Sequence, residues 1–93
     1  MVVFKDTVAA AGTPNTHDLG ASLSGLAAQH VAITNKHASQ LLEVTFSKDG
    51  TTYTSEFDIP GLTTVVFDFV NVAKVKVDAS GNTTAYTVAG WRD

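Results

Sequence analysis

"LLEVTFSKDGTTYTSEFDIPG", residues 41–61, is the stretch that decides the fold. Leu42, Val44 and Phe46 alternate with Glu43, Thr45 and Ser47, which is the period of two of a half-buried strand. Lys48-Asp49-Gly50 follows. Asp-Gly between two alternating runs signals a hairpin, because glycine reaches positive φ without steric cost. "TTYTSEFDI", residues 51–59, then alternates again, with Tyr53, Ser55, Phe57 and Ile59 on one face and Thr52, Thr54, Glu56 and Asp58 on the other. Pro60-Gly61 closes the run, proline presetting φ and glycine expected to take the next turn position. The stretch therefore predicts two strands joined at Asp49-Gly50, a strand between two turns rather than a catalytic loop.

The same rhythm continues on both sides. "QHVAITN" places Val31 and Ile33 on one face and stops at Asn35. "LTTVVFDFV" has Val65, Phe67 and Phe69 on one face, and "AKVKVD" sets Val75 and Val77 against Lys74 and Lys76. "ASGN", residues 79–82, is a compact turn, and "TTAYTVAGW" completes a strand with either Tyr86 and Val88 or Ala85, Thr87 and Ala89 inward. Five strands between residues 28 and 91, spaced by roughly ten residues, predict an all-β domain: a small antiparallel sandwich or barrel of about six to eight strands. Residues 1–27 are rich in Ala, Gly, Ser and Thr. Leu19, Leu23 and Leu26 have helical spacing, but Gly20 and Gly25 would each cost ~1 kcal/mol in a helix interior. An extended N-terminal arm with one or two short strands, "VVFKD" and "THDLG", is the expectation, within one domain spanning 1–93.

Composition narrows the function classes. Of 93 residues 44% are hydrophobic, six are basic and nine acidic, for a net charge of −3. Charged residues make up only 16%, below the usual ~25%. A polar, weakly charged surface suits contact with other proteins. It does not suit a nucleic-acid backbone, which calls for clustered Lys and Arg. Cysteine is absent, which removes disulfides, thiol catalysis and Cys-ligated zinc. The N-terminus lacks the basic region and apolar run of a signal peptide, and no segment reaches the ~18 apolar residues of a membrane span. The chain is expected neither to enter a membrane nor to be secreted.

No catalytic residue, metal ligand or cofactor-binding residue is assigned, and no cofactor is expected. His17, His30 and His37 lie thirteen and seven residues apart, which matches no common zinc spacing. An extended chain would hold His30 and His37 about 23 Å apart. Glu56 and Asp58 share a strand face, with Asp68 a candidate neighbour across a hairpin, but "KDGTTYTSE" lacks the ligand density of a calcium loop. These carboxylates read as solvated groups that discourage edge pairing. No Ser or Thr sits in a nucleophile motif, and "SLSGLAAQ" lacks the residues of a phosphate loop. Asn82-Thr83-Thr84 fits a glycosylation sequon and reads as turn chemistry. "GWRD" offers Trp91 and Arg92 either as an interface anchor or, for Trp91, as a cap on the core.

"DLGASLSGLAAQHVAITN", "LLEVTFSKDG", "FDIPGLTTVVFDF" and "AKVKVDASGNTTAYTVAGW" follow one another over residues 18–91. In that order they resemble the small β-rich accessory proteins of tailed-bacteriophage virions, the capsid decoration (cement) and neck or tail components. The resemblance is one of pattern and carries over no functional residue. It implies a non-enzymatic structural protein that binds major capsid or other virion proteins, forms a homo-oligomer such as a trimer, and resides in the virion after assembly in the host cytoplasm. A small carbohydrate-binding β module is the alternative, with Tyr53, Tyr86 and Trp91 as its aromatic candidates.

Overall fold

Alternating apolar side chains can all be buried only if two sheets meet face to face, and that is the arrangement found. The structure is a computed structural model that describes residues 2–10 and 12–93, with side chains described for residues 7–10, 12–68 and 70–93. Its elements are β1 (Val2–Ala9), β2 (Asn15–Asp18), α1 (Leu19–Ser22), β3 (Ala28–Asn35), β4 (Leu42–Ser47), β5 (Phe57–Ile59), β6 (Thr64–Val72), β7 (Lys74–Ala79) and β8 (Thr84–Trp91). Two four-stranded sheets have the orders β1-β8-β3-β6 and β2-β7-β4-β5, with every pairing antiparallel. Successive strands cross from one sheet to the other except at the β4–β5 hairpin. This connectivity is the eight-stranded jelly roll, an all-β sandwich.

The central strands make the core. Val31, Ile33, Tyr86 and Val88 of the first sheet face Leu42, Val44, Val75 and Val77 of the second, and all are fully buried. Each such side chain contributes about 1.5–3 kcal/mol when withdrawn from water. Tyr86 and Val88 thus point inward, and Ala85, Thr87 and Ala89 outward. The N-terminal segment supplies one edge strand to each sheet: β1 pairs with β8 and β2 with β7. Between β2 and β3 the chain makes the one-turn helix α1, where an extended segment was expected. Asp18 caps it by accepting from the Ala21 N–H at 3.0 Å, and Leu19 and Leu23 are buried. The glycine cost does not apply, because Gly20 lies in the first turn and Gly25, at φ 83°, follows the last.

The hairpin between β4 and β5 is present, but it is not tight, and residues 51–56 form no regular strand. The Asp49 carboxylate accepts from the N–H groups of Thr51 and Thr52, both at 2.8 Å, which winds the tip into a wider turn around Gly50 at φ 88°. Tyr53 then pairs with Ser47, and the Thr54 N–H donates to the Phe46 carbonyl. Beyond this point the register shifts by one residue, so that Phe57 faces Val44 and Ile59 faces Leu42. Without the shift Glu56 and Asp58 would oppose those buried residues and point into the core. Tyr53 consequently does not share a face with Phe57 and Ile59. It lies outside, beneath the Lys76 ammonium, 4.1 Å from the ring centroid.

The Pro60-Gly61 turn also differs from expectation. The left-handed residue is Leu62, at φ 55° and 71% exposed, and not Gly61. Gly61 is required for another reason: a Cβ there would lie 2.6 Å from the carbonyl oxygens of both His37 and Ala38. The two positions therefore respond oppositely to substitution. Leu62→Gly is expected to raise stability by about 0.5–1 kcal/mol, because left-handed backbone is costly for a branched side chain and free for glycine. Gly61→Ala is expected to lower it by more than about 2 kcal/mol, since the opposing contacts are backbone. Thermal denaturation of the two variants decides both; stabilisation by Gly61→Ala would refute the close approach.

Candidate functional site

Among the described side chains, those at the centre of the outer face of the β1-β8-β3-β6 sheet are small. Ala89 lies beside Ala32 and Thr87 beside Thr34, with Thr64 and Val66 continuing the rows on β6. Val8 and Val66 flank the face and are about half exposed, at 52% and 53%. At one end, three adjacent strands bring Trp91, His30 and Asp68 into register. Nδ1 of His30 is 2.7 Å from Asp68 Oδ1, and Nε2 is 3.0 Å from Asp93 Oδ2. Both ring nitrogens thus face carboxylates, which accept but do not donate when ionised, so the imidazole is held as the cation. The ring stacks on Trp91 with centroids 5.3 Å apart. Hydrogen bonds first to Asp93 and then to Asp68 raise the His30 pKa above its ordinary value. Arg92 donates to the Ala27 carbonyl at 2.7 Å and the Asp93 N–H to Gln29 at 3.0 Å, which pins the chain after β8. Trp91 therefore does not cap the core; it lies half-buried on the outer face, stacked on His30.

The opposite outer face carries acid. Glu43 of β4 is flanked in register by Asp58 of β5 and Asp78 of β7. Glu43, Glu56 and Asp58 offer carboxylate oxygens all within 4.8 Å of one another, an arrangement that could hold a cation. A hydrogen bond to Glu56, then burial, then repulsion by Glu56, Asp78 and Asp58 push the Glu43 pKa up to about 7. Like charges directly opposite on neighbouring strands destabilise a sheet. Asp78 Oδ1 is buried and has no hydrogen-bond partner among the described residues.

The three histidines occupy separate places. His17 points inward, Nε2 2.7 Å from the Tyr86 hydroxyl, and Asn15 donates to that same oxygen at 3.1 Å. His30 sits on the outer face of the first sheet. His37 lies in the β3–β4 loop, where its Nδ1 accepts from the N–H groups of Ser39 and Gln40. Asp68 joins His30 rather than Glu56 and Asp58. Tyr53, Tyr86 and Trp91 do not form an aromatic platform: Tyr53 is on the second sheet, Tyr86 is buried between the sheets, and Trp91 is on the first. Sequence reasoning missed Glu43 and Asp78 as members of the acid group. The available signal was the hairpin itself, which sets Glu43 opposite Asp58.

No protein-family model matches this chain, and no curated protein sequence matches it. Solved structures share its fold. HppE in its FeII form superposes at a TM-score of 0.62 with 7% identity, over 97% of this chain and 43% of that one. RmlC from Streptococcus suis, in complex with dTDP-D-xylose, gives 0.58 with 9% identity, over 99% and 44%. The chain thus spans less than half the length of these two. A protein of Bacillus endospore appendages, described as disulfide-linked pili, gives 0.51 with 11% identity, over 99% of this chain and 89% of that one. At such identities the likeness is one of fold alone.

The two clusters set a pH dependence of the same sign. Glu43 carries a raised pKa, so the native state binds its proton more tightly, and stability falls as pH rises from about 4.5 to about 7. The His30 contribution is complete below the ordinary imidazole value of 6.5 and is lost as pH rises through the raised folded value. Melting temperature is therefore expected to fall between pH 6 and pH 8. Glu43→Gln should raise it at pH 8 and flatten the fall, and His30→Gln should remove what remains above pH 6.5. A wild-type melting temperature flat over that range, measured by calorimetry, would contradict both assignments.

Proposed function

We propose that this chain is a non-enzymatic structural subunit that acts by binding other proteins of an assembled particle, most concretely a capsid decoration protein attached to major capsid subunits of a tailed-phage head. The observation that supports this most is the outer face of the β1-β8-β3-β6 sheet. Among its described side chains, Ala32, Ala89, Thr34 and Thr87 make the centre small and uncharged, with the half-exposed Val8 and Val66 on the edge strands. A neighbouring protein can approach such a face closely, with little side-chain entropy to lose and few charges to desolvate. The low overall charge agrees with that use, and the likeness in fold to an appendage protein supports a subunit role.

Quantitative mass spectrometry of purified particles tests the reading. A ratio near one copy per major capsid subunit, or a simple fraction of it, is the expected result. A few copies per particle would move the chain to the neck or tail, and absence from particles would overturn the virion role. Ala89→Arg, at the centre of the face, should abolish binding to particles. It should lower the melting temperature by only about 4–8 °C, since Ala89 is half-buried on that face and such a substitution costs about 1 kcal/mol.

A further inference from the structure

The two sheets treat their edges differently. The second sheet ends in β2, with four residues, and β5, with three, and acidic Asp18, Glu56 and Asp58 stand at those edges. Short, charged edges resist pairing with other strands. The first sheet ends in β1, whose eight residues include Lys5 and Asp6, and in the nine-residue β6, which contains no Pro, Lys or Arg and a single carboxylate, Asp68, already engaged by His30. Its straight portion is Thr64–Asp68. Left-handed Leu62 bounds it on one side. On the other a bulge moves the register from His30–Asp68 to Ala28–Val72, with Asn71 at φ 50°.

The direction of the β6 backbone groups follows from the ladder. The Asn35 N–H donates to the Thr63 carbonyl at 3.0 Å, so Thr63, Val65 and Phe67 bond to β3. The intervening pairs, Thr34–Thr64, Ala32–Val66 and His30–Asp68, are the closely approaching non-bonded ones. The hydroxyls of Thr34 and Thr64 meet at 2.7 Å, as such pairs allow. The N–H and C=O groups of Thr64, Val66 and Asp68 therefore point away from the sheet. Apolar groups stand on both sides of this edge: Val66, 53% exposed, between Thr64 and Asp68 on the outside, and the partly buried Val65 and Phe67 on the inside.

We propose that β6 is a self-association edge that pairs antiparallel with β6 of a second copy about a two-fold axis at Val66, joining the two first sheets into one eight-stranded sheet. The midpoint of the straight segment sets the register. It places Val66 opposite Val66 of the partner subunit and Thr64 opposite Asp68 of the partner subunit, and forms about six intermolecular N–H···O bonds. Charge supports the same choice, since moving the axis two residues on, from Val66 to Asp68, would set two Asp68 carboxylates face to face. On the inner side Val65 meets Phe67 of the partner subunit, an aromatic–β-branched pair of the favourable kind. A contact five residues long is small, so the pair is a weak one in solution. It is a property of the isolated chain and does not depend on what the outer face binds.

Analytical ultracentrifugation of the full chain from about 10 µM to about 1 mM is the test, with amide hydrogen exchange alongside. The expected result is a monomer–dimer equilibrium in this range, with the amides of Thr64, Val66 and Asp68 gaining protection as concentration rises. Those of Val65 and Phe67, already bonded to β3, should stay protected throughout. Val66→Pro removes only outward-facing donors and should abolish the dimer while leaving the monomer folded. Thr64→Asp should weaken association about fivefold and Thr64→Lys strengthen it by a similar factor, through the two symmetric contacts with Asp68. A monomer at 1 mM would overturn the proposal. So would a dimer indifferent to the Thr64 and Val66 changes, which would pair through β1 or a sheet face.

Discussion

Everything else in this domain depends on one constraint: β3 and β8 must bury one side against β4 and β7. Val31, Ile33, Tyr86 and Val88 have no room to exchange places with the outward set, because a one-residue slip in a strand turns every side chain to the other face. The inward positions are therefore committed to large apolar groups. Gly90 shows how closely the sheets and α1 are fitted, since a Cβ there would come within 2.9 Å of Leu19. The largest fully buried side chain, Tyr86, keeps its hydroxyl satisfied through His17 and Asn15. A buried hydroxyl without such partners would cost about 1–3 kcal/mol. Burial rather than any nearby charge pushes the Tyr86 pKa up, so the phenol remains the neutral group that this network needs.

With the inner face committed, the outer positions are free to differ, and the two sheets use that freedom in opposite ways. The second sheet displays Lys74, Lys76, Glu43, Asp58 and Asp78, so water is its natural neighbour. Among its described side chains the first displays alanine, threonine and valine, and at one end it holds His30 between Asp68 and Asp93. A sandwich that only had to stay soluble would gain nothing from this asymmetry. One that must be approached on a single side gains orientation from it, because the acid row opposes burial of the second sheet against any protein.

The strands were legible wherever a single face is buried. β3, β4 and β7 repeat with period two, and the structure places Val31 and Ile33, Leu42 and Val44, and Val75 and Val77 inward as that period requires. What failed to show was whatever depended on a neighbour distant in sequence. The hairpin tip looked tight because Asp49-Gly50 has the local chemistry of a tight turn, but the need to turn Phe57 and Ile59 inward adds a residue to one strand. Gly61 looked like the left-handed residue because Pro-Gly commonly makes that turn, but the carbonyls of His37 and Ala38 crowd it and transfer the strain to Leu62. The spacing of Leu19 and Leu23 marks α1, and the glycine penalty does not bear on a helix too short to have an interior. His30 and its carboxylates are separated by 38 and 63 residues, so no spacing rule could have joined them.

Edge and face are linked by the same strand. β6 carries Thr64 and Val66 on the outer face and, at those same residues, sends its free backbone groups sideways. Pairing two copies along β6 therefore extends the low apolar face without interrupting it, and the twist of the sheet carries both halves onto one surface. His30 controls the end of this edge. By holding Asp68 on its own sheet, it offsets part of the charge of the single carboxylate on β6. If two copies pair along β6 as proposed, the cation that holds the chain after β8 also stands at the end of that contact. In that pairing, loss of the His30 charge would act on the end of β8 and on the β6 edge together.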